Sequence, residues 1–134
     1  MRINFRRWGV FNLVGCGGFV AQIATIALLT RIGGWSPFVA TAIALELAAT
    51  VNFVGHNRWT WRDRPERSAR GWLVRYGVYQ LSKTASLVAN LFLTIVFTQA
   101  GLPAEIANTV AVVVCAVPNF FISEHLVFVR RPTG

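Results

Sequence analysis

No charged residue occurs from Trp8 to Thr30, and none from Ile106 to Ser123. Each run is long enough to cross a hydrocarbon core of about 30 Å as an α-helix. Lipid offers the backbone no hydrogen bonds, so a helix is the form such a run must take. Two further apolar stretches carry one charge each: Glu46 within about 37–56 and Lys83 within about 76–97. Spans are therefore expected at about 8–30, 37–56, 76–97 and 104–123, and the fold class is an all-α, four-helix integral membrane protein. Composition agrees, with 54% hydrophobic and only 13% charged residues, where soluble chains carry about 25% charged.

A net charge of +8 in a soluble protein would point to nucleic acid, but here the arginines sit at the membrane edges and no nucleic-acid partner is expected. Arg2, Arg6 and Arg7 precede the first span; Arg58, Arg62, Arg64, Arg67, Arg70 and Arg75 crowd the middle connection; Arg130 and Arg131 follow the last span. The other two connections carry only Arg31 and Glu105. The positive-inside rule then places both termini and the middle connection in the cytoplasm. Trp35 falls where an outer interfacial anchor belongs, and Trp8, Trp59, Trp61 and Trp72 fall at the inner one.

Leu13-Val14-Gly15-Cys16 has the form of a lipoprotein cleavage box behind a basic N-terminus. The apolar run continues past Cys16 to Thr30, as a spanning helix requires and a cleaved signal does not. Cys16 and Cys115 both lie inside apolar segments, without zinc spacing or a secreted disulfide framework. No metal or cofactor site is expected.

The chain reads as a duplication. At an offset of 67 residues Asn52 aligns with Asn119, Phe53 with Phe120, Trp61 with Phe128, Gly34 with Gly101 and Ala40 with Ala107. The halves run from about 5 to 62 and 72 to 130, joined by a polar linker over about 63–71. Each holds two spans connected by a short Gly/Pro turn, at 32–37 and 99–103. Both halves then enter the membrane from the same side, which makes the repeat parallel.

At about 100° per residue, Tyr76, Tyr79, Ser86, Asn90 and Thr94 fall within roughly 60° of Lys83 on one face of the third span. That face must meet protein or a water-filled path; interhelical hydrogen bonding would suffice for its Ser, Thr and Asn. An intramembrane ammonium costs about 2.5 kcal/mol or more even on mild insertion scales, which directs Lys83 toward function. Glu46, at similar depth, is its expected partner, and the pairing is either purely structural or part of a solute path. Asn52 and His56 share one face, as do Asn119 and Ser123. Pro118 is expected to free the Val114 carbonyl and kink the fourth helix. Gly15, Gly17, Gly18 and Ala21 form a small-residue face suited to helix packing. Most basic clusters only set topology or touch lipid headgroups. Arg58 and Arg62 stand on the aromatic clasp itself, where they can pair with a phosphate.

With these motifs in place, the chain resembles the GtrA-like family of four-span membrane proteins. The resemblance rests on the glycine-containing first helix, Asn52-Phe53 followed by Asn57-Arg58-Trp59-Thr60-Trp61, the basic connection, and a second Asn119-Phe120 with Phe128. Glu124-His125-Leu126 departs from the basic residue and tryptophan often found in the second clasp. The resemblance implies movement of a polyprenyl-phosphate-linked sugar across the cytoplasmic membrane for cell-surface polysaccharide synthesis. It implies phosphate capture by Arg58 and Arg62, with Glu46, Tyr79, Lys83 and Asn90 along the path. Four helices form a small core, so a homo-oligomer or a complex with a membrane glycosyltransferase is expected, alongside membrane lipids.

Two other readings compete. The chain can be a non-transporting anchor that recruits a glycosyltransferase through its basic connection, or a small proton-coupled cation exporter built on Glu46. Lys83 weighs against the exporter because its charge repels cations. No nucleophile, base and orienting group occur together, so an enzyme is not expected.

Overall fold

The computed structural model describes residues 5–129; Arg2, Arg130 and Arg131, assigned above to the cytoplasmic edge, lie outside them. The described residues form four long helices and no strands: α1 (Phe5–Arg31), α2 (Pro37–Gly55), α3 (Ala69–Gln99) and α4 (Ala104–Ile122). A π-helical turn extends α2 over His56–Thr60, and another extends α4 over Ser123–Val127. All four helices are long and apolar enough to cross a membrane. The chain is thus a multi-pass membrane protein.

The chain divides into two compact units, 1–65 and 66–134, each a hairpin: α1 packs on α2 in the first and α3 on α4 in the second. The turns follow from local chemistry. Gly34 and Gly101 adopt φ of +64° and +99°, the left-handed region that glycine enters without a Cβ clash. Ser36 then accepts a hydrogen bond from the Val39 backbone N–H, with Pro37 in the first turn of α2. Pro103 opens α4. Ser68 caps α3 by accepting from the Gly71 N–H at 3.0 Å, and the Glu66 carboxylate in turn accepts from the Ser68 hydroxyl. This cap starts α3 at Ala69, so the polar linker is shorter than its composition implies and Arg70 and Arg75 are helical.

Each unit is closed by small residues. Ala40, Ala44 and Ala48 repeat every four residues along α2 and are buried, as are Ala107, Ala111 and Cys115 along α4. Large apolar side chains such as Phe19, Phe38, Leu81 and Phe92 point outward. That inversion suits lipid, where association rests on close backbone packing rather than on hiding oil from water. Of the glycines on the small-residue face expected on α1, Gly18 is in tight contact: a Cβ there would collide with the Asn52 side chain, whereas one at Gly15 or Gly17 would meet open space.

The π-helical turns place two of the largest core side chains. Their wider register is marked by Trp61 N–H donating to the His56 carbonyl and Phe128 N–H to the Ser123 carbonyl, both at 2.8 Å. Trp61 and Phe128 are fully buried. Trp61 is therefore a core residue and not an interfacial anchor, while Trp59, two residues earlier, is 66% exposed.

Candidate functional site

A cavity of about 620 Å³ opens within the first unit, inside the range of about 300–1,000 Å³ that small-molecule sites occupy. The helical repeat builds its α1 wall. Arg6 and Arg7 stand one turn before Val10, with Leu13, Val14 and Gly17 following at successive turns of the same face. Val51 and Gly55 of α2 and Trp59 and Thr60 of the π-helical turn form the opposite wall, and Arg62 and Asp63 close it beside Arg6 and Arg7. Gly55 has a steric role there: a Cβ would lie 2.8 Å from a Val14 methyl. One end of the cavity is cationic and the rest is apolar.

The cationic end is tied by a pair that spans the unit. Arg7 Nη2 donates to both oxygens of Asp63, at 3.1 and 3.0 Å, and Arg64 Nε lies 3.8 Å from the same carboxylate. Burial acts to raise the Asp63 pKa. The hydrogen bond from its own backbone N–H, with the charges of Arg7 and Arg64, outweighs that and holds the carboxyl below its ordinary value.

The sequence-derived residues fall in different places. Arg62 lines the cavity, whereas Arg58 is exposed and does not. His56 is buried, at 3% exposure. Its ring stacks on Phe11 at 4.8 Å and its Nδ1 sits 3.0 Å from Thr60 Oγ1, behind the cavity wall. Asn52 packs on Gly18, and its side-chain oxygen is buried without a hydrogen-bond partner among the described residues. Glu46 is exposed on α2.

In the second unit, the stripe on α3 divides by role. Asn119 Nδ2 donates to Ser86 Oγ at 2.6 Å, and Thr94 Oγ1 lies 3.4 Å from Asn108 Oδ1, so these members join α3 to α4. Asn90, one turn from both Ser86 and Thr94, has a buried side-chain nitrogen with no hydrogen-bond partner among the described residues. Lys83 Nζ lies 6.0 Å from the Tyr79 ring centroid, at the limit of a cation–π contact. Tyr79 is buried and meets Phe128 edge-on, and the Arg75 guanidinium covers the same Phe128 ring at 5.4 Å.

Arg6, Arg7, Thr60 and Asp63 were not singled out by sequence reasoning. Their clustering is tertiary: positions 7 and 63 meet only because α1 and α2 form a hairpin. The available signal was local, a basic pair just before one uncharged run and an Arg-Asp step just after the next.

The family model described as GtrA/DPMS, transmembrane domain, matches residues 10–128. No curated protein matches the chain.

Proposed function

Because the chain belongs to the GtrA/DPMS transmembrane-domain family, we propose that it moves a polyprenyl-phosphate-linked sugar across the cytoplasmic membrane for cell-surface polysaccharide synthesis. The cavity of the first unit carries this reading. Its arginines suit a phosphate, because guanidinium groups bind phosphate oxygens through paired, charge-assisted hydrogen bonds. Its apolar remainder, from Val10 to Gly17 and at Val51, suits the start of an isoprenoid tail.

In this proposal both termini and the middle connection face the cytoplasm, and the headgroup is captured at that face by Arg62 with Arg6. Arg58, exposed beside the clasp, meets the headgroup before capture. Glu46 in the first unit and Lys83, Tyr79 and Asn90 in the second are the residues offered to the polar group, and Asn52, His56 and Asn119 hold the helix ends of their own hairpins. The two units descend from one duplicated hairpin. Several observations support that origin: the π-helical turns start at His56 and Ser123, the left-handed glycines are Gly34 and Gly101, and the buried ring pair is Trp61 and Phe128, each 67 residues apart.

The test is reconstitution in vesicles with a labelled polyprenyl-phosphate sugar, following its arrival in the outer leaflet. A charge-assisted contact contributes about 1.5–3 kcal/mol, so Arg62→Ala should slow movement roughly tenfold or more. Lys83→Ala should also slow it. Unchanged movement in both variants would remove these residues from the site. Absence of movement by the wild type would favour a non-transporting anchor for a glycosyltransferase.

A further inference from the structure

The cationic end of the cavity is not uniformly positive. Asp63 is the acidic residue among the side chains that line it, and it engages Arg7 through both carboxylate oxygens. Among the described residues neither Arg6 nor Arg62 meets a carboxylate. The lining thus carries three arginines and one aspartate, a net formal charge of +2.

We propose that Asp63 is a charge-selectivity residue. It shifts the cavity's preference away from dianionic lipid phosphates and toward monoanionic phosphodiesters. The inference rests on the reading of this cavity as the headgroup site. A lipid phosphomonoester carries a charge of about −1.5 to −2 near neutral pH, whereas esterification to a sugar leaves a single negative charge. Coulomb energy scales with the product of the charges. A fixed carboxylate beside the site therefore repels the sugar-free carrier about twice as strongly as the loaded one. With three arginines and no carboxylate, the electrostatic preference for the sugar-free carrier would be larger by the full effect of that charge. Asp63 offsets one of those charges and holds Arg7, so discrimination arises from a repulsive element built into an attractive site.

The experiment uses the full chain in neutral detergent at pH 8 and measures affinity for three probes with one polyprenyl chain: the monophosphate, its methyl phosphodiester and the free alcohol. The wild type should bind the phosphodiester more tightly than the alcohol. Asp63→Asn should tighten the phosphodiester on the order of fivefold and the monophosphate by about the square of that factor, with the alcohol unchanged. Equal gains for the two phosphates, or no gain, would overturn the proposal. Phosphatidate, a monoester on diacyl chains, should gain as the polyprenyl monophosphate does; a gain confined to one type of tail would show that charge is not what Asp63 senses. If Asp63→Asn does not fold, Arg7→Gln removes the closer of the two guanidinium groups on the carboxylate, Arg64 remaining 3.8 Å away, and should weaken the monophosphate more than the phosphodiester. Equal losses there would also overturn it. A wild type that treats phosphodiester and alcohol alike would instead refute the headgroup site itself, before any variant is compared.

Discussion

Gly18 and Gly17 are neighbours on α1 with opposite tolerances. A methyl group at position 18 collides with Asn52, while one at 17 meets open space. Overpacking of this kind costs about 1–3 kcal/mol, so Gly18→Ala should lower the thermal midpoint in detergent and Gly17→Ala should leave it unchanged or raise it slightly. A comparable loss in both variants would contradict the packing described for α1 on α2. The Arg7–Asp63 pair yields a pH signature. Because the Asp63 carboxyl is held below its ordinary value of 3.8, its contribution is fully present above that pH and is lost as pH falls through the lower folded-state value. The stability gap between wild type and Asp63→Asn should thus close on acidification below about pH 4. It should be small throughout, since the carboxylate is 36% exposed.

Among the elements, the π-helical turns make the sharpest claim. Trp59 and Trp61 are two residues apart, yet one is 66% exposed and the other fully buried. Trp61→Ala should cost about 3–5 kcal/mol and Trp59→Ala far less, as read from denaturation in detergent. Iodide should quench the fluorescence of Trp59 and spare Trp61; equal quenching would mean that the turn is not wound this way. The four helices were legible in the sequence because charge cannot be placed in lipid without cost, so Trp8–Thr30 and Ile106–Ser123 announced themselves. The π-helical winding was not legible, because one extra residue in a turn leaves no trace in an apolar run. Hence two tryptophans were both assigned to the interface. The Ser68 cap was missed for a related reason: charged residues such as Arg70 suggested linker, although α3 continues beyond the apolar stretch and carries them.

At the scale of the whole molecule, the expected topology can be read with reporters. A fusion active only in the cytoplasm should work after Gly134 and fail when inserted at 32–36, since the outer turns carry almost no positive charge. Activity at both places would refute the parallel arrangement of hairpins. The candidate site was only half legible at this scale. Arg62 was picked out because it adjoins an aromatic motif, but Arg6 and Arg7 lie in the first turn of α1, and Asp63, its own neighbour in sequence, carried only a linker assignment. Sequence distance hides such a cluster when the lining comes from both arms of a hairpin.

The alanine seam of α2 has a consequence for how the first unit can work. Ala40, Ala44 and Ala48 have no side-chain rotamers to exchange, so this part of the joint has no gearing through which its arms could re-pack. The hairpin should behave as stiff tweezers, and any change in its shape must be made at the tips, where the rings and charges are.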